Sequence, residues 1–235
     1  MTKSPTVSLR GISSMATKAL LHALSQQFLA DTGIQVSIES VGGVDAAKRV
    51  EGGESFDMVF LAADAIERLQ ANGHLQTGSR CDWVRSSVAV AVPVGAPQPH
   101  IDTEEQLKAV VNAAGKLSYS TGPSGNYLAT LFERWGMLDT LRPRIVVPPP
   151  GVPVAKLLAE HQVDLGFQQR SELLHQPGVC VLGDLPPEIA YTTVFSAGAG
   201  SAAAHDAVRL QAVMDFFEFI SADKQRACKQ SFGMS

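Results

Sequence analysis

Repeatedly along this chain an apolar strand runs into a loop of glycine, serine and proline, and then into a helix. The clearest instance spans 117–132: Leu117-Ser118-Tyr119 reads as a strand, Ser120-Thr121-Gly122-Pro123 as the loop, with a helix starting near Ser124. The same pattern recurs at 11–18, 40–49 and 148–158, and more loosely at 166–173. A helix start leaves backbone N–H groups without intrahelical partners and carries the positive end of the helix dipole. Such loops suit an anion. The expectation is that they converge on one small, negatively charged ligand.

Alternation of strands and helices predicts an α/β fold with mainly parallel sheets. Strands are expected at 6–12, 34–39, 56–61, 86–93, 145–147, 163–167, 179–182 and 192–197. Helices are expected from Ser13 or Ser14 to Phe28, at 45–51, 65–71, 103–112, from Ser124 to about Gly136, and at 152–162, 205–220 and 223–230; Ser171 reads as a short turn. Thr103 is the expected cap of its helix, with Glu104 and Glu105 in the favourable first turn. So many strands in 235 residues suit two lobes better than one. The first lobe is expected over 1–87 and 193–235, and the second over 88–192. The run Pro148-Pro149-Pro150 reads as stiffening of a loop.

Net charge is −4 and no Lys/Arg run is present, which argues against a nucleic-acid partner. A run of about 18 apolar residues, enough to span a membrane, is missing. The start Met1-Thr2-Lys3-Ser4-Pro5-Thr6 has no apolar leader, so the expected location is cytoplasmic as written, and periplasmic if a leader has been removed. Cys81, Cys180 and Cys228 are far apart and odd in number, and the histidines are scattered. Neither a disulfide framework nor a metal site is expected, and no cofactor.

The candidate ligand residues follow from the loops. Ser14, Met15 and Ala16 can offer backbone N–H groups to an anion, or Ser14 can serve as a plain N-cap. Gly42, Gly43 and Val44 allow close backbone approach, or the glycines only form a tight turn. Ser120, Ser124, Gly125, Asn126 and Tyr127 sit where strand end and helix start coincide. Gln168 and Gln169 follow an apolar strand where core is expected, so one amide faces the ligand and the other satisfies backbone. Lys18, Arg85 and Arg170 are the cationic candidates. Lys18 lies near the positive end of the first helix, which hints at an anionic partner, although a solvated surface lysine is the ordinary alternative. Arg85 offers a bidentate contact to a carboxylate, and Arg170 reads equally as a surface residue.

The ordered set Ser13-Ser14-Met15, Phe28, Gly33, Gly52, Phe56-Asp57-Met58-Val59, Ser124-Gly125 and Val163-Asp164-Leu165-Gly166-Phe167 resembles the type 2 periplasmic binding protein superfamily, in the branch that holds the molybdate-binding proteins. The resemblance covers nearly the whole chain. It implies two α/β lobes that close on a ligand held in a cleft by helix starts and small side chains. The site departs from the molybdate pattern: Ser14-Met15-Ala16 stands for Ala-Ser-Leu, Gly42-Gly43-Val44 for a serine-rich loop, and Gln168-Gln169 for a tyrosine. More amides and fewer hydroxyls suit planar carboxylates at least as well as a tetrahedral oxyanion.

Gly166-Phe167-Gln168-Gln169, Ser171-Glu172-Leu173-Leu174 and Leu185-Pro186-Pro187-Glu188-Ile189 resemble a subset of this branch, to which enzymes that isomerise aconitate are similar. That resemblance implies a cofactor-independent isomerase of a small unsaturated tricarboxylate, working by a 1,3-allylic proton shift. Lys18 and Tyr127 are the candidate bases, a role that requires giving up a proton near neutral pH. The alternative is the solute receptor of an importer for molybdate or a related oxyanion, with an ABC permease as partner if the chain is exported.

Overall fold

The structure, a computed structural model, describes residues 7–149 and 151–235. Thr6, which opens the first expected strand, and Pro150 of the proline run lie outside them. In chain order the elements are β1 (Ser8–Ser14), α1 (Lys18–Thr32), β2 (Gln35–Val41), α2 (Gly43–Glu51), β3 (Met58–Ala62), α3 (Ala63–Ala71) and β4 (Cys81–Pro93). Then come α4 (Glu104–Ala113), β5 (Leu117–Tyr119), α5 (Pro123–Arg134), α6 (Leu138–Leu141), α7 (Val154–Ala159), β6 (Leu165–Gln169) and α8 (Arg170–Leu173). The chain ends with β7 (Val179–Asp184), β8 (Thr192–Ala199), α9 (Ser201–Ala204), α10 (Ala207–Ser221) and α11 (Arg226–Ser231). It divides into two compact units, one running up to Arg85 and resuming at Val194, the other Ser86–Thr193.

In the first unit the strand order is β2-β1-β3-β8. β1 is parallel to β2 and β3, and β8 closes the set antiparallel to β3. Helices cover both faces, which is why β3 reads as a continuous apolar run from Met58 to Ala62. On one face Leu20, Leu21, Leu24 and Phe28 of α1 meet Phe216 and Phe217 of α10. Their spacing of three and four residues puts them on one side of the helix. Phe28 and Phe216 meet edge to face at 5.1 Å. On the other face Ile12 and Val59 pack under Ala46, Ala47 and Val50 of α2 and Ile66 and Leu69 of α3. Gly33, with φ of 75°, ends α1 in the left-handed conformation.

In the second unit β4 lies between β7 and β6, antiparallel to both, and β5 adds parallel to β6. A bulge between Val90 and Ala91 shifts the register of β4 on β7. Val88, Val90 and Phe167 face Leu107, Leu128, Leu131 and Phe132 on one side. Ala89 and Ala91 face Val154, Leu157 and Leu158 on the other. The expected cap of α4 is present as a full capping box between Thr103 and Gln106.

Several expected boundaries shift, each for a local reason. The first helix opens as a 3-10 turn over Met15–Thr17 before α1 begins at Lys18. The strand expected at 145–147 shrinks to a single bridge from Ile145 to Leu117, because the prolines that follow have no N–H to extend a ladder. The helix expected at 152–162 is only Val154–Ala159, with Pro153 as its N-cap. β4 begins at Cys81 rather than at 86. β6 runs two residues past its expected end, which places Gln168 and Gln169 inside the strand rather than after it.

Candidate functional site

The first unit gathers small polar groups where β1 and β2 end side by side. Their parallel register sets Ser13 opposite Ser40 and Ser14 opposite Val41. The Ser13 and Ser40 hydroxyls are hydrogen-bonded at 2.8 Å. Ser14 is the N-cap of the 3-10 turn, but its side chain makes no capping bond. Its hydroxyl is buried with no partner among the described residues. The plain N-cap alternative therefore fails. Burying a hydroxyl without a partner costs about 1–3 kcal/mol, so Ser14 is stabilised poorly by its own protein. A Cβ on Gly43 would sit 3.5 Å from the Ser14 Cβ, which places the start of α2 beside that hydroxyl. Gly42 has an ordinary φ of −55° and Gly43 is helical, so neither is required for a left-handed turn. What they supply is room. Met15 is partly exposed, Ala16 is buried, and Val44 projects outward at 49% exposure.

In the second unit, Ser120 follows β5 and its hydroxyl is 2.7 Å from that of buried Ser124. Gly122 is the N-cap of α5, with Pro123 as its first residue. The amides of Gly125 and Asn126 both donate to the Gly122 carbonyl, at 2.9 and 3.1 Å. Pro123 has no N–H, so Ser124 supplies the first-turn amide not used in this way. Asn126 is exposed and its carbonyl accepts from Thr130 at 3.1 Å.

Gln168 and Gln169 point to opposite faces of β6, as successive strand residues must. Both are buried. The Gln168 carbonyl accepts from the Ala155 amide at 3.3 Å, at the start of α7. Its amide donates to the Glu172 carboxylate at 2.7 Å. Gln169 donates to Thr193 at 2.7 Å, while its carbonyl is buried without a partner among the described residues. Gln168 thus satisfies backbone and a carboxylate together, and Gln169 keeps an orphan atom. Glu172 is partly exposed as a residue, yet its carboxyl is desolvated, which pushes its pKa up to about 7 against the opposing Gln168 hydrogen bond.

The two candidate bases fare differently from expectation. Lys18 is exposed on the first residue of α1. Tyr127 donates its hydroxyl to the Ile189 carbonyl at 2.9 Å and stacks on Tyr191 with ring centres 4.5 Å apart. Burial raises its pKa above the ordinary tyrosine value, the wrong direction for a base. Arg85 is exposed, and its backbone pairs in both directions with Ser235, at 2.7 and 3.0 Å. Arg170 is paired with Asp184 at 2.9 Å. Among the described residues no three His, Cys, Asp or Glu side chains are grouped to hold a metal ion, and no helix is long and apolar enough to cross a membrane.

Residues 9–235 match the family of bacterial extracellular solute-binding proteins. The chain belongs to that family. It is 29% identical over 209 residues to an aconitate isomerase from a Pseudomonas species, across 86% of this chain and 79% of that enzyme. It superposes with a TM-score of 0.78 on the periplasmic molybdate-binding protein of Azotobacter vinelandii, at 20% identity over 97% of this chain and 98% of the other. For the sulfate-binding protein SubI of Mycobacterium tuberculosis the TM-score is 0.75, at 16% identity over 97% and 86%. The fold is accordingly that of the type 2 periplasmic binding proteins.

Within this solute-binding chain, sequence reasoning passes over Ser13, Ser40 and Glu172. Ser13 and Ser40 could have been found from the strand ends, since parallel neighbours finishing together bring their last residues together. Glu172 stands inside the Ser171–Leu174 segment that carries the resemblance, but no spacing there marks its carboxyl. A glutamate four residues after Gln168 reads as an ordinary surface residue until α7 and β7 are packed beside it.

Proposed function

We propose that the protein binds a small carboxylate or oxyanion through its strand-end loops, and that its activity is aconitate-type isomerisation. The observation that carries the anion reading is the Ser14 hydroxyl, buried without a partner beside the start of α2. A group left in that state by its own fold is satisfied when a ligand arrives. The isomerase reading draws support from the relative named aconitate isomerase, matched over 86% of this chain.

The chemistry is a 1,3-allylic shift. A proton leaves the methylene next to a carboxylate, the double bond moves by one carbon, and a proton returns at the far end. Donors around the carboxylates stabilise the delocalised anion between these steps.

A second reading is supported by the molybdate- and sulfate-binding neighbours: a receptor that hands an oxyanion to an ABC permease after export. One experiment separates the two. The protein is mixed with trans-aconitate and the cis isomer is followed with time, while thermal unfolding is recorded with trans-aconitate, molybdate and sulfate. Turnover together with a rise in Tm by trans-aconitate supports the isomerase. No turnover, with strong stabilisation by molybdate or sulfate alone, overturns it in favour of the receptor.

A further inference from the structure

The second unit holds a carboxyl group that the binding reading does not use. Glu172 lies on α8, directly after β6. β5 and β6 are parallel, with Tyr119 opposite Phe167, so Ser120 and Gln168 come next at the same edge of the sheet. Ligands of open α/β sheets bind outside the carboxyl ends of such strands. Glu172 therefore stands at the edge that carries Ser120 and Ser124.

We propose that Glu172 is the base of the allylic shift, with Gln168 as its positioning residue; this rests on the isomerase reading above. The Glu172 carboxylate removes a proton from the methylene carbon of the bound unsaturated acid. The C–H electron pair becomes the new C=C bond, the old π pair moves to the far carbon, and that carbon takes the proton back from the Glu172 carboxyl. The double bond has moved by one carbon, nothing is oxidised or reduced, and no co-reactant is consumed.

Three observations support the assignment. First, Gln168 fixes the carboxylate at 2.7 Å and is itself fixed at the Ala155 amide, so the group is held in one place. Second, no opposite charge takes it up among the described residues. Of the charged groups on α8 and on the elements packed against it, Arg170 is paired with Asp184 of β7, and Lys156 of α7 lies 3.8 Å from Glu160. β6 brings no charge. Third, a base works best when its pKa lies near the working pH, and burial alone has moved this one there.

The test compares the full chain with Glu172→Gln and Glu172→Asp, scoring trans-aconitate turnover against pH and the trans-aconitate shift in Tm. Glutamine keeps the shape and can still accept from Gln168, so Glu172→Gln is expected to keep the Tm shift and lose turnover by a factor of about 10² or more. For the wild type, kcat/KM is expected to rise with pH through about 7, and Glu172→Asp is expected to keep residual turnover with a displaced limb. An active wild type with a Glu172→Gln variant within about tenfold of it removes Glu172 alone and leaves the isomerase standing. So does a pH profile without a limb near neutrality. A wild type inert towards trans-aconitate overturns this proposal and the isomerase reading together.

Discussion

Gly125 sits so close to the carbonyl oxygen of Ser120 that a Cβ at position 125 would overlap it. The contact is backbone to side-chain position, so no flexible group can swing away. It holds the start of α5 against the end of β5 and thereby sets the Ser120–Ser124 hydroxyl pair. Gly125→Ala is expected to destabilise the protein by about 3 kcal/mol, the upper end of ordinary overpacking. It should also abolish any ligand-induced rise in Tm. Chemical denaturation with and without trans-aconitate checks both. A variant of unchanged stability would mean that α5 can slide without consequence.

Ser14 gives the opposite expectation. Its hydroxyl is buried and unpartnered, so the unliganded protein gains nothing from it. Ser14→Ala is expected to leave the unliganded protein as stable as wild type or up to about 1 kcal/mol more stable. The ligand-induced Tm shift should fall. Stability bought back at the expense of binding marks a functional group held in an unfavourable state. A loss of stability without ligand would instead make Ser14 a structural residue.

How far the sequence foretold these features depends on the range over which each is decided. The Thr103–Gln106 capping box is legible because it lies within four consecutive residues. The loop after β5 is legible for the same reason. The orphan state of Ser14 is not, since a serine before a helix reads as a cap until the geometry denies it the bond. Glu172 is hidden more deeply: its desolvation comes from packing between α7, β6 and β7, which no spacing along the chain encodes. Tyr127 misled for the converse reason. It stands in the right loop, but Ile189 and Tyr191, more than sixty residues away, take its hydroxyl and its ring.

Glu172 also predicts how stability depends on pH. Its folded pKa of about 7 lies above the ordinary 4.5, so the folded state holds this proton more tightly than the unfolded chain does. The stabilisation is fully present below about pH 4.5 and is lost as pH rises through about 7. The total is at most about 3 kcal/mol. Urea unfolding of wild type between about pH 5 and pH 8 should show this decline, and Glu172→Gln should flatten it. Equal slopes in the two proteins would show that the carboxyl is solvated after all.

The last prediction concerns the tyrosine that sequence position favours as a base. In the folded protein Tyr127 donates to the Ile189 carbonyl at 2.9 Å, its ring lies on Tyr191, and burial holds its proton on. Tyr127→Phe keeps the ring and the stacking but leaves the Ile189 carbonyl without this donor. The expected cost is about 1 kcal/mol, the usual net worth of one such hydrogen bond. Turnover of trans-aconitate and the ligand shift in Tm should both survive, because no proton passes through this hydroxyl. Paired kinetic and denaturation measurements on the variant decide the matter. Turnover lost while stability holds would return Tyr127 to the chemistry and weaken the case for Glu172.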